Sequence, residues 1–256
     1  MGKQMLKVWL LVSAISVILP AQESASVKEV LERARQEQMF VSRMLKDIVL
    51  IASHYLHKEQ TIGELERTKK EYSEGLKKLR QYENTPEWKT MMATAWQEWD
   101  KAQKLTEGAP DKKRAMEYIK KFSKLKLQWN KPIGYLMKEA KMNADNPVSV
   151  LSNFKIYSEQ MTTMYLLRSW DLNDPSRVDK SSHRIGIKVH QGFQTLLKSP
   201  QTTPKMKEVI RQMRKLSLYF QVMWDSNVRT PTLVVKKSKE AYQLAVKLLR
   251  MYQEKP

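Results

Sequence analysis

Apolar residues recur at helical spacing along nearly the whole chain, and the longest uninterrupted stretch comes first. Between Ser26 and His57 they fall at Val27, Val30, Leu31, Ala34, Val41, Met44, Leu45, Ile48, Ala52, Tyr55 and Leu56, with neither Gly nor Pro among them. This is the pattern of one long amphipathic helix. Glu37 and Gln38 break the apolar stripe once. A second line runs along the opposite side: Arg35, Met39, Arg43, Lys46 and Leu50. The apolar side is expected to pack within the helix's own bundle. The other side has two readings. It meets a second subunit or a ligand, or Met39 and Leu50 are ordinary scattered surface residues.

Seven more helices follow from the same periodicity and its punctuation. The second runs to about Tyr82, with Leu65, Tyr72, Leu76 and Leu79 on one face. Asn84-Thr85-Pro86-Glu87 then supplies a cap, a first-turn proline and an acid for the third, whose inner face is Trp88, Met91, Met92, Ala95, Trp99 and Ala102. Asp111 opens the fourth, with Tyr118, Ile119, Phe122, Leu125 and Trp129 inward, and Pro132 is expected to kink or interrupt it. After a linker at 143–147, Pro147, Pro204 and Pro231 open the fifth, seventh and eighth helices. The sixth carries Ile185, Val189, Phe193 and Leu196 inward. The β-prone run Thr232–Val235 blurs the start of the last. An offset of 121 residues superposes Tyr72 on Phe193, Leu76 on Leu197, Met92 on Met213, Trp99 on Phe220 and Pro110 on Pro231. The expectation is an all-α chain of two tandem up-down four-helix bundles, residues 24–143 and 146–256.

Composition places the chain outside the cytoplasm. Lys3 and Lys7 precede an apolar run from Val8 to Leu19 and then Pro20-Ala21, the layout of a signal peptide over residues 1–21. That run is shorter than the roughly 20 residues a membrane span needs. With no Cys in 256 residues, disulfides are excluded and the core alone must hold an exported fold. The net charge is +19, or +17 without Lys3 and Lys7. Such a charge implies an anionic contact: envelope polymers, lipid headgroups, nucleic acid or small anions. Export argues against an intracellular nucleic-acid role.

Catalytic signatures are missing. The sequence has no Cys nucleophile, Gly-rich phosphate loop, HExxH or GxSxG, so no enzyme activity and no cofactor is expected. His54 and His57 lie one turn apart but face no carboxylate-rich helices, and are read as solvated rather than metal-binding. From Lys112 to Lys131 the chain holds eight Lys or Arg against one acid, Glu117. That segment is either the wet side of a bundle helix or a surface for an anionic membrane or partner helix.

Within the first helix, QEQMFVSRMLK matches part of a motif like GRQRMLSQRMAK through Met39, Arg43, Met44 and Lys46, and Tyr72, Leu76 and Leu79 fit the helix that follows it. On these residues the chain resembles the periplasmic sensor module of nitrate/nitrite sensor kinases and of the type IV pilus methyl-accepting chemotaxis transducer. Arg35, Gln36, Glu37 and Gln38 stand where that motif has Gly, Arg, Gln and Arg. The resemblance implies a helical bundle binding a small ligand or partner outside the cytoplasm, here without an output domain of its own. The candidate ligand site is Arg35, Gln38, Met39, Arg43 and Lys46. Crowded cations on one helix side call for an anion or an acidic partner, and a homodimer through the first helix would use the same face. Arg43→Ala is then expected to change folding by no more than about 0.5 kcal/mol. The alternative is a structural or interaction protein held by its basic helices to anionic envelope surfaces or extracellular nucleic acid.

Overall fold

Serine, threonine and proline mark where the helices begin. The computed structural model describes residues 26–53, 58–82, 85–107, 110–169, 175–226 and 230–254. The leader at 1–21, His54 and His57 lie outside them. Ser26 opens α1 (Val27–Ala52) with a reciprocal box: its Oγ accepts from Glu29 N at 3.4 Å and its N–H donates to Glu29 Oε2 at 2.8 Å. α2 (Lys58–Arg80) follows. Thr85 caps α3 (Pro86–Leu105), accepting from Trp88 N. A 3₁₀ turn over Lys112–Arg114 leads into α4 (Ala115–Gln128) and α5 (Asn130–Glu139). The second half comprises α6 (Pro147–Ser169), α7 (Pro175–Lys198), α8 (Pro204–Asp225) and α9 (Pro231–Gln253). Thr203 caps α8, whereas α9 starts at Pro231 without a side-chain cap and absorbs Thr232–Val235 as helix. All elements among the described residues are helical.

The break in the fourth helix falls at Trp129, three residues before Pro132. A proline ring collides with the carbonyl four residues earlier, here Gln128, which is where α4 ends. The chain recovers at once, because Ile133 N–H reaches Trp129 O at 3.0 Å. At the far end of α5, Lys141 takes φ 50°. Met142 N–H bonds Met137 O and Lys141 N–H bonds Lys138 O, a Schellman stop built on lysine rather than glycine. The sequence boundary at 143–146 lies in the turn that follows.

Each half closes into an up-down bundle: α1, α2, α3 and α4/α5 in the first, α6, α7, α8 and α9 in the second. Shifted by 121 residues, the helices of the first set overlap those of the second to within seven residues at their ends. The first core is aromatic, with Trp88, Trp99, Trp129, Tyr72, Tyr118 and Phe122 fully buried. Their polar edges are satisfied inside it. Trp88 Nε1 donates to Leu79 O at 2.9 Å and Trp129 Nε1 to the Tyr72 hydroxyl at 3.1 Å. Tyr72→Phe strands that indole N–H in a dry core and is expected to cost about 1–3 kcal/mol in urea unfolding. A loss below a few tenths would show that Trp129 finds another acceptor.

The bundles join along α1 and α6. α6 is therefore enclosed by α7 and α9 on one side and α1 on the other. It shows no single apolar face: Ser149, Ser152, Ser158, Glu159, Thr162 and Thr163 are all buried. Thr162 and Thr163 hydroxyls return to the carbonyls of Ser158 and Glu159, which satisfies them within the helix.

Candidate functional site

The second side of α1 is not free surface. Arg35 is buried and donates to Glu32 Oε1 at 2.8 Å and to Ser149 Oγ of α6 at 2.7 Å. Ser152 Oγ donates to the other Glu32 oxygen at 3.0 Å. Met39 belongs to the first core and Leu50 is buried with it. Gln38 Nε2 donates to Asn130 Oδ1 at 3.0 Å, inside the first bundle. Arg43 Nε meets Glu159 Oε1 at 3.0 Å and Lys46 Nζ meets Glu159 Oε2 at 2.8 Å. The acidic partner those cations require is thus a carboxylate of the same chain. Three of the five, Arg35, Arg43 and Lys46, reach α6 and hold the two bundles together, while Gln38 and Met39 stay within the first.

The electrostatics of this seam are balanced. Burial alone would raise the Glu159 carboxyl, but Lys46 and Arg43 outweigh it and hold the group below its ordinary value. Burial would likewise lower Arg43 and Lys46, yet Glu159 leads the interactions that leave both above theirs. The Arg43 guanidinium also lies 4.8 Å from the centre of the Tyr242 ring on α9. Asp47 touches Lys46 at 3.5 Å without a hydrogen bond, and burial pushes it up to about 6.

The space for a ligand is elsewhere. A cleft of about 710 Å³ opens between α7 and α8 of the second bundle, floored by Met161 and Phe193, Met213 and Phe220. It spans α7 from Asp179 to Phe193, about 20 Å at 1.5 Å per residue. Its mouth carries two of the large apolar residues that stay exposed, Ile187 at 46% and Leu218 at 60%. The charged and imidazole groups of the lining are exposed at its edge: Asp179, His183, His190, Arg214 and Asp225. Ser158 and Ser182 are buried polar groups deeper in it. Among the described residues Arg214 makes no ion pair. At one end Arg168 fixes the wall, donating to Trp224 O at 2.7 Å while its guanidinium stacks 5.0 Å from the Trp224 ring. Among the described residues no three potential ligands converge on a metal position.

The cleft lies where the 121-residue offset pairs large apolar residues of the first half with smaller or more polar ones of the second. At the same offset of 121, Ile62, Leu65, Trp96 and Trp99 of the first bundle correspond to His183, Gly186, Ser217 and Phe220 in the second. Each replacement is smaller or more polar than its counterpart. Leu65 and Trp99 are buried and Ile62 and Trp96 half-buried in the first bundle, whereas Gly186 is exposed on the cleft wall of the second. A glycine inside a helical run was the one local sign of it in the sequence, and it has meaning only when the copies are compared. No family model, curated protein or solved structure matches the chain.

Proposed function

We propose that this is an exported helical binding protein, built on the plan of two-bundle sensor-like modules, whose second bundle takes an elongated amphipathic small molecule between α7 and α8. The observation that carries the reading is the replacement of Leu65 and Trp96 by Gly186 and Ser217, which leaves an apolar volume of ligand size open to solvent. An apolar body would lie on Met161, Phe193 and Phe220, displacing poorly held water. The rim histidines and Arg214, which has no ion pair among the described residues, favour a head group that accepts hydrogen bonds, an anionic one best.

Restoring the first bundle's residues tests this directly. The double variant Gly186→Leu/Ser217→Trp is expected to close the cleft, keep the helical content and abolish saturable binding of dodecanoate followed by calorimetry. Arg214→Ala alone should weaken dodecanoate about tenfold or more, the scale of one charge-assisted contact, and dodecanol much less. Dodecanoate binding that survives the filled cleft would remove the site.

A further inference from the structure

α4 and α5 turn their aromatic face inward and leave a stripe of the opposite composition outside. Lys113, Lys120, Lys124 and Lys131 are exposed along it, continued by Lys138. Between them sit two bulky apolar side chains that no neighbour covers, Met116 at 47% exposure and Leu127 at 58%. At 100° per residue Met116, Lys120, Lys124 and Leu127 fall within one side of the helix. The acid on the same turn, Glu117, is engaged by Arg114 at 3.4 Å. Glu98 of α3, beneath Lys124, is shared between Lys124 at 3.0 Å and Lys101 at 3.2 Å and leaves that trio positive.

We propose that the outer face of α4 and α5 docks on an anionic lipid bilayer. Charge complementarity selects the occupant. Lysines on flexible stems reach headgroup phosphates while Met116 and Leu127 enter the acyl boundary between them, the arrangement of an in-plane amphipathic helix. A nucleic acid would use the lysines but would give the two apolar side chains nothing to enter. The docking face stands independently of any ligand in the α7–α8 cleft.

Co-sedimentation of the purified chain with vesicles tests the proposal. Binding is expected to phosphatidylcholine vesicles containing 30% phosphatidylglycerol and not to phosphatidylcholine alone, and to fall as salt rises. Lys120→Glu/Lys131→Glu should weaken it about thirtyfold or more, the loss of two surface lysines at a charged membrane. Arg211→Glu/Lys215→Glu on exposed α8 makes the same change in net charge and should weaken it less than threefold. Met116→Ser/Leu127→Ser, which keeps every charge, should weaken it about tenfold or more. Equal losses in the two charge-reversal variants would mean diffuse electrostatics and overturn the docking face. So would failure to bind the anionic vesicles at low salt, or duplex DNA binding that loses affinity with the lysines while vesicle binding ignores Met116 and Leu127. Unchanged thermal melts confirm that the exposed substitutions leave the fold intact.

Discussion

Glu159→Ala should destabilise the chain by about 3–5 kcal/mol, the loss that follows when one member of a buried ion pair is removed. The carboxylate sits on α6 and neutralises two cations of α1, Arg43 at 3.0 Å and Lys46 at 2.8 Å. Without it both cations remain in the seam with only Asp47 near Lys46, at 3.5 Å. Arg43→Ala leaves Glu159 still bound by Lys46, so its cost is smaller, about 1.5–3 kcal/mol for one charge-assisted hydrogen bond. That is well above the surface-substitution range expected from sequence, because Arg43 is not on a surface. Replacing Arg43, Lys46 and Glu159 together by Met should recover most of the loss, since the desolvation of all three disappears with their attraction. Urea midpoints at constant slope are the measurement. A Glu159→Ala protein within 1 kcal/mol of the parent would mean that water reaches the cations.

The same carboxylate sets an acid limit. A group held below its ordinary value stabilises the fold above its unfolded pKa and loses that contribution as pH falls through the folded one. For Glu159 the loss lies below its ordinary value of 4.5. Asp47 runs the other way. Raised from 3.8 to about 6, its contribution is lost as pH climbs through that interval. Comparing the parent with Glu159→Gln reads the first effect together with the easing of Asp47, which Glu159 helps to raise.

Helix content and order were legible because they depend on local chemistry, an apolar residue every three or four positions and Thr-Pro or Asn-Pro at the starts. The caps were legible only in part, since Thr85 and Thr203 cap their helices but α4 starts from Arg114 rather than Asp111 and Thr230 makes no side-chain cap. What α1 touches was not legible. Periodicity says that a side is apolar or charged, but Arg43 beside Lys46 reads the same whether its counter-charge is a ligand or a glutamate 116 residues away. The cleft was missed because Met213, Phe193 and Phe220 satisfy the inward pattern whether or not the space between them is filled. The interruption expected from Pro132 was legible, and it falls at Trp129 because a proline acts on the carbonyl one turn before it.

The break in the α1 stripe at Glu37 leads to the other large effect. Glu37 is fully buried and neither carboxyl oxygen has a hydrogen-bond partner. Its room comes from Gly75 on α2, where an added Cβ would overlap Glu37 Oε1. Burial dominates its chemistry and raises it from 4.5 to about 9; Arg33 opposes that and Glu71 adds to it. The carboxyl is therefore protonated in the folded chain at neutral pH, while the unfolded chain carries it ionised. Between those two values the folded state holds one more proton, so stability falls as pH rises, by about 1.4 kcal/mol per unit. At pH 7 the proton uptake costs about 3 kcal/mol, and Glu37→Gln, uncharged at every pH, should be more stable than the parent by that order. The gap should shrink towards zero near pH 4.5 and grow towards pH 9, with Glu159 and Asp47 cancelling in the difference. Gly75→Ala should be destabilising in the parent, through the clash with Glu37. In a Glu37→Ala background it should gain up to about 1 kcal/mol, the helix-propensity advantage of alanine over glycine. Parallel stability curves for the parent and Glu37→Gln from pH 5 to 9 would show that Glu37 is ionised in the fold and reached by water.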